Sequence, residues 1–175
     1  MTSQPTIPDD DPTRDLTVTR VDDPGAAHLG LAGDTYTILI TGDDTAGTYT
    51  AIDMHVPPGG GPAPHRHDFE EMFTVLEGEV TATFRGTETT ARAGDTINIP
   101  ANAPHSFTNA GSAPARLLCV CAPAGQDEFF LQVGQSVSGP TEPAPPLDDE
   151  QQQAFLAKAQ QLAPRYRTEL LPPPG

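Results

Sequence analysis

Three histidines and one glutamate stand at spacings that suit a metal site: His65, His67, Glu71 and His105. On an extended strand the side chains of His65 and His67 project from one face, about 7 Å apart, so both imidazoles can reach a common point inside a barrel. Glu71 lies six residues after His65, about 20 Å along a continuous strand. The chain must therefore fold back around residues 68–70 for the carboxylate to join the imidazoles.

Such a set of ligands indicates the chemistry. Three imidazoles and one carboxylate form a mixed nitrogen and oxygen site with open positions, which suits Fe, Mn, Ni, Co or Cu better than a closed structural zinc site. The ligand types do not choose among these divalent metals and do not exclude Zn. An open Lewis-acid site can hold an enolate, catecholate or flavonol oxygen beside a base. Glu71 is the candidate base, because a carboxylate in an apolar pocket can have the raised pKa that proton abstraction needs.

Short runs rich in Val, Ile, Thr, Tyr and Phe surround these residues between about residues 35 and 133, separated by Gly, Pro and Asp. This pattern predicts an all-β domain of the jelly-roll class. The predicted strands are Tyr36–Thr41, Thr48–Val56, Pro64–His67, Met72–Leu76, Val80–Arg85, Thr89–Ala91, Thr96–Ile99, His105–Asn109, Arg116–Ala122 and Glu128–Gln132. Gly78, Gly86 and Gly94 mark tight turns, which favour antiparallel neighbours.

A change of composition after the proline-rich segment 139–146 predicts one α-helix. Asp148 can cap its first backbone amides, with Gln151 three residues later, and Pro164 ends it. Phe155, Ala159 and Leu162 form a narrow apolar stripe. This helix either packs on the outside of the barrel or on a partner subunit, or it forms a lid over the barrel mouth.

Other residues able to do chemistry are assigned to structural roles. Glu70 should face outward by strand alternation, and His55 should face away from the apolar side of its strand. His28 is expected to be exposed in the N-terminal arm. Cys119 and Cys121 point the same way on a strand and lack the spacing of a redox or zinc pair, so they are interpreted as packing residues.

The length of 175 residues predicts one domain with tails: an N-terminal arm that is flexible or forms an edge strand (1–30), a barrel (31–138), and a linker, helix and tail (139–175). The net charge of −15 argues against nucleic acid and anionic membranes as partners. No apolar run approaches membrane-spanning length, and residues 1–15 have no features of a secretory signal. We therefore expect a cytoplasmic protein.

Two stretches resemble the two motifs of the cupin superfamily. The first motif is matched at Gly59, His65, His67, Glu71 and Gly78, and the second at Gly94, Pro100, His105 and Asn109. Asn102 stands where the family has glycine, and asparagine tolerates the positive φ that this corner requires. The resemblance implies a double-stranded β-helix, the cupin jelly-roll barrel, with a C-terminal helix. It also implies one divalent transition metal on His65, His67, Glu71 and His105.

Within that superfamily the chain resembles short bacterial single-cupin proteins similar to quercetin dioxygenases. The shared features are PPGGGPAPHRH at 57–67, VLEGE at 75–79, a Pro123-Ala124-Gly125 turn before Phe129-Phe130, and the C-terminal helix. The resemblance implies ring cleavage of a flavonol, or a related enolisable aromatic substrate, by O2 with Glu71 as base. It is also compatible with a homodimer that exchanges the arm or an outer strand. The alternatives are a non-oxidative cyclase or isomerase, and a module that binds a small molecule around a structural metal.

Overall fold

Short β-strands make up most of the chain between residues 27 and 122 in the computed structural model, which describes residues 7–172. The strands are β1 Ala27–Leu31, β2 Asp34–Ile40, β3 Thr50–Val56, β4 His65–His67, β5 Glu70–Glu77, β6 Glu79–Phe84, β7 Thr87–Arg92, β8 Thr96–Ile99, β9 His105–Thr108, β10 Ala115–Ala122, β11 Gln135–Ser136 and β12 Thr168–Leu170. The helices are α1 Gln126–Val133 and α2 Asp149–Leu162, and a 3-10 turn covers Ala163–Tyr166.

The strands form two antiparallel sheets. One has seven strands in the order β11-β1-β2-β3-β10-β5-β8, and the other has five in the order β12-β4-β9-β6-β7. Alternate residues along β10, including Leu117, Cys119 and Cys121, are buried while their neighbours are partly exposed. This period of two places one face of β10 in the core. The predicted all-β jelly-roll class with a C-terminal helix is confirmed.

The predicted strand Glu128–Gln132 is wrong, because this segment belongs to helix α1. Its buried residues include Gln126, Phe129 and Val133, a spacing of three and four residues that matches a helix rather than a strand. A five-residue segment with three adjacent apolar residues does not distinguish the two periods by itself. Strands β11 and β12 were not predicted, and β1 begins where the N-terminal arm was expected to be flexible or to form an edge strand. Each of the three is held by pairing to a strand distant in sequence or across a turn.

The exposed position predicted for His28 is also wrong. His28 lies on β1, is buried, and has its Nδ1 2.8 Å from the Thr37 Oγ1 on the neighbouring strand β2. The expectation failed because the sequence around His28 contains few large apolar residues, whereas the burial comes from cross-strand neighbours. His28 is therefore part of the sheet and does not lie in a solvated arm.

The C-terminal helix forms as predicted. The Asp148 side chain accepts a hydrogen bond from the Gln151 backbone N–H, and the Gln151 side chain accepts one from the Asp148 N–H. The 3-10 turn containing Pro164 then leads into β12, which pairs with β4 in the register Thr168↔His67 and Leu170↔His65. The C-terminal segment thus fixes the strand that carries two of the histidines. Within residues 7–172, neither helix is long and apolar enough to cross a membrane.

Candidate metal centre

The two sheets contribute different ligand types to one buried site. His65 and His67 on β4 and His105 on β9 belong to the five-stranded sheet, and Glu71 on β5 belongs to the seven-stranded sheet. His65 and His105 are direct register partners, and their ring centroids are 4.2 Å apart. The chain turns between β4 and β5 at residues 68–69. The predicted turn at 68–70 therefore carries the chain across to the other sheet and brings Glu71 to the imidazoles.

Backbone carbonyls fix the orientation of all three imidazoles. The Nδ1 of His65, His67 and His105 each lies 2.9 Å from a carbonyl oxygen, of Ala63, Phe69 and Ala103 respectively. A carbonyl only accepts hydrogen bonds, so each Nδ1 carries a proton. The three Nε2 atoms are then the atoms available as metal ligands.

The Glu71 carboxylate meets the imidazoles through one oxygen. Its Oε2 lies 2.9 Å from the His67 Nε2 and 3.0 Å from the His105 Nε2. One ligand atom from each of His65, His67, Glu71 and His105 lies within 4.8 Å of the others, and all four residues are buried. Lone pairs that converge in this way need a positive charge between them, which protons or a metal cation can supply. The four residues therefore form a three-histidine, one-glutamate site that could hold a divalent transition metal.

The contacts of Glu71, His105 and His65 also shift the pKa values of these residues. Burial alone would raise the pKa of Glu71, but hydrogen bonds from His105 and His67 outweigh it and hold this pKa well below its usual range. Burial lowers the pKa of His105, and the carboxylate of Glu71 more than reverses that effect, so the pKa is raised. Burial lowers the pKa of His65 to about 4. The expected rise in the pKa of Glu71 is therefore wrong for this arrangement, because the Nε2 atoms of His105 and His67 both lie within hydrogen-bond distance of its Oε2.

Two buried thiols contact the other oxygen of Glu71. The Cys119 Sγ lies 3.4 Å and the Cys121 Sγ 3.7 Å from the Glu71 Oε1. The contact with Cys121, together with burial, raises the pKa of the Cys119 thiol. The hydrogen bond with Cys119 lowers the pKa of Cys121, but burial and the nearby Glu71 outweigh it and raise that pKa. Both thiols therefore stay protonated and act as weak donors. These residues were interpreted as packing residues. Their shared strand face was visible in the sequence, whereas the pairing of β10 with β5 that places them beside Glu71 was not.

A cavity of about 160 Å³ opens beside the site, with His65 and Glu71 in its wall. It is several times the roughly 30 Å³ that one water molecule occupies, so the protein's own side chains do not fill the barrel. The aromatic rings in its wall are Tyr36, Phe73, Phe107, Phe129, Phe130 and Phe155. Helix α2 was predicted to pack on the outside of the barrel or on a partner subunit, or to form a lid. Its residues Phe155, Leu156 and Ala159 line the wall of this cavity.

Glu70, His55, Asn102 and Phe69 are not among the four clustered residues. Glu70 is exposed and accepts hydrogen bonds from the Asn98 side chain and the Ala101 backbone N–H. His55 is half-buried on β3 and is not among the clustered ligands. Asn102 adopts a φ of 68°, as its place in the corner before His105 requires. Phe69 stacks on the His67 ring, with centroids 3.9 Å apart.

Parts of the chain are similar to known protein sequences. Residues 52–121 match the family described as a cupin domain. An uncharacterized protein of Methanocaldococcus jannaschii is 36% identical over 69 residues, which are 39% of this chain and 55% of that protein. Quercetin 2,3-dioxygenase of Bacillus subtilis is 29% identical over 118 residues, which are 66% of this chain and 35% of that protein. The chain thus spans about half the length of one curated relative and about a third of the other.

Among solved structures, an RmlC-like cupin from Shewanella frigidimarina aligns with a TM-score of 0.55 and 18% sequence identity, covering 65% of this chain and 96% of that one. At this level of identity the likeness concerns the fold alone.

Proposed function

We propose that this chain, whose residues 52–121 match the cupin domain family, is a metal-dependent dioxygenase that cleaves a flavonol such as quercetin, or a related enolisable aromatic compound, with O2. One observation carries the proposal: a three-histidine, one-glutamate site opens onto a cavity walled by aromatic rings. The similarity to the Bacillus subtilis quercetin 2,3-dioxygenase supports the choice of substrate class.

The proposed role of His65, His67 and His105 is to hold one divalent transition metal through Nε2, with Glu71 as the fourth ligand. When bound, such a metal supplies Lewis acidity, which lowers the pKa of an enol, and the redox chemistry that reaction with O2 needs. The carbonyls on Nδ1 keep the rings in place while substrate enters. Glu71 is the proposed base that takes the proton of the substrate's enol hydroxyl.

The cavity wall has its own part in this proposal. Phe73 and Phe107 pack edge to face with centroids 5.3 Å apart and line the cavity together with His65 and Glu71. Apolar rings bind a flat aromatic ligand and exclude water from its deprotonated form. An unfilled cavity next to the ligands also favours a substrate-binding role over a metal that only stabilises the barrel.

The test is reconstitution of the purified protein with Fe(II), Mn(II), Co(II), Ni(II), Cu(II) or Zn(II), followed by an oxygen-electrode assay with quercetin. We expect oxygen uptake in parallel with loss of the flavonol absorbance for at least one metal. If oxygen is not consumed with any metal, the dioxygenase proposal fails. Conversion of an enolisable substrate without oxygen uptake would instead favour a cyclase or isomerase, and binding without turnover would favour a binding module.

A further inference from the structure

The cavity has a second group of polar side chains, supplied by elements that carry none of the four clustered ligands. Asp34 and Tyr36 come from β2, and Gln126 is the first residue of α1. All three line the same cavity as His65 and Glu71. Each is buried, with exposed fractions of 1%, 4% and 5%. Polar groups so deeply buried need hydrogen-bond partners.

The carboxyl group of Asp34 is held by specific contacts. Its Oδ2 accepts a hydrogen bond of 3.1 Å from the Tyr36 hydroxyl, and its Oδ1 accepts one of 3.1 Å from the Gly61 backbone N–H. A Cβ on Gly60 would come within 2.3 Å of the Asp34 Oδ1. The glycine-rich loop before His65 is thus shaped around this carboxyl group, which explains a glycine that the metal ligands do not require.

Asp34 and Tyr36 can both carry protons at neutral pH. Burial raises the pKa of Asp34 to about 7, despite the hydrogen bonds from Tyr36 and Gly61. Burial and the nearby Asp34 carboxylate raise the pKa of Tyr36 well above its usual value. The tyrosine therefore remains a donor, and Asp34 can either accept or donate a hydrogen bond.

Gln126 is the unsatisfied member of the group. Its Oε1 is buried without a hydrogen-bond partner, alone among the buried side-chain nitrogen and oxygen atoms of residues 7–172. A buried acceptor without a donor is destabilising and is rare in folded proteins. A ligand in the cavity that carries a hydroxyl group would supply the missing donor.

We propose that Gln126, with Asp34 and Tyr36, forms a subsite that binds a hydroxyl group of the substrate other than the oxygen that faces His65 and Glu71. The ligand class is then a polyhydroxylated aromatic compound with hydroxyl groups at two separated positions. The aromatic wall of the cavity includes Phe130, whose ring packs edge to face on Tyr36 with centroids 5.2 Å apart. This inference deepens the proposed function and rests on it for the entry of an aromatic substrate into this cavity.

The test compares ligands that differ in the hydroxyl groups assigned to this subsite. Dissociation constants are measured anaerobically by calorimetry on the metal-loaded protein for two pairs, quercetin with 3-hydroxyflavone and resorcinol with 3-methoxyphenol. We expect the more hydroxylated member of at least one pair to bind tenfold more tightly. Gln126→Leu should reduce that preference to less than threefold, whereas Gln126→Glu, which keeps an acceptor, should retain most of it.

Glu128→Leu is the matched control, because Glu128 is an exposed residue of the same helix and its replacement should leave the preference unchanged. Thermal melting and metal content identify any variant that does not fold. The subsite is overturned if neither pair shows the preference in the original protein, or if Gln126→Leu retains it. A preference with no oxygen uptake would refute the dioxygenase reaction but not the subsite, so the two failures are distinguishable.

Discussion

At the scale of single residues, the two oxygens of Glu71 have different surroundings. Oε2 faces two imidazoles and Oε1 faces two thiols. A carboxylate fixed from both sides is positioned as a ligand, and only a change in its contacts would free it to act as a base. A role as general base and a role as structural ligand therefore predict different results for the substitution Glu71→Gln.

If the carboxylate is a general base, we expect Glu71→Gln to reduce turnover by about 10² to 10⁴-fold. Most of the bound metal should be retained. The measurement is metal content by mass spectrometry alongside quercetin-dependent oxygen uptake. Glu70→Gln is the matched control, because the neighbouring carboxylate is exposed and points away from the site. Loss of the metal together with a lower melting temperature would instead assign Glu71 a purely structural role.

Asp34 predicts a pH dependence of stability. In the unfolded chain this carboxyl ionises near its ordinary pKa of 3.8, whereas burial raises the pKa in the folded protein to about 7. The folded state binds more protons between these values, so its stability falls as pH rises and the loss is complete above about pH 7.

The Asn variant at this position removes that titration. Relative to Asp34→Asn, the free energy of unfolding of the original protein should decrease by up to about 4 kcal/mol between pH 4 and pH 8. Urea denaturation of the metal-free proteins across this range provides the measurement. A difference between the two proteins that does not change with pH would contradict the expectation.

At the scale of elements, the glycine-rich loop between β3 and β4 determines where the first histidine strand begins. Gly61 adopts a φ of 128°, and a Cβ there would come within 2.1 Å of the Phe107 carbonyl oxygen on β9. The loop therefore lies directly against the strand that carries His105. Only glycine fits this close approach of two backbones.

Gly61→Ala should destabilise the protein by at least about 3 kcal/mol, since it combines backbone strain with a clash against backbone. Gly59→Ala is the matched control, because Gly59 also has a positive φ, of 79°, but no atom lies within 4 Å of its Cβ position. Its cost should be about 1 to 2 kcal/mol. Equal melting temperatures for the two variants would show that the contact with Phe107 is not a constraint.

Two C-terminal elements contact the site: strand β12 pairs with a histidine-bearing strand, and helix α2 forms part of the cavity wall. Strand β12 pairs with β4 next to both His65 and His67, and α2 supplies residues to the cavity wall. Both follow the proline-rich segment that separates them from the barrel in sequence. The tail is therefore part of the structure that positions the ligands, in addition to any role it has as a cover.

At the scale of the whole molecule, the N-terminal arm presents apolar side chains to solvent. Leu16 and Val18 are 91% and 72% exposed, although Arg14 and Thr17 beside them bond to Asp44. The expected homodimer, in which the arm or an outer strand is exchanged, stays a prediction. The exposed side chains of Leu16 and Val18 give a way to test the arm's part in it.

We expect light scattering to give twice the mass of one chain, and Leu16→Asp to shift the protein toward the monomer. Pro12→Asp adds the same charge to the arm without removing an apolar contact, and should leave the dimer intact. A monomeric mass for the original protein at micromolar concentration would refute the dimer.

The sequence alone determined the all-β class, the capped helix and the four residues that come together in the site. Those features are local: the alternation of apolar residues, the Asp148 and Gln151 pair, and the ligand spacing on both sides of tight turns. At Asn102 the sequence indicated only that a positive φ would be tolerated, and the structure gives a φ of 68°.

Only the tertiary structure decided the rest, because it depends on contacts between segments far apart in sequence. Pairing of β10 with β5 placed Cys119 and Cys121 against Glu71, and pairing of β12 with β4 tied the C-terminus to the histidines. The helical state of residues 126–133 placed Gln126 in the cavity wall. A side chain's type and spacing define what it can bind, but its neighbours across the sheets define its charge, its partners and the space beside it.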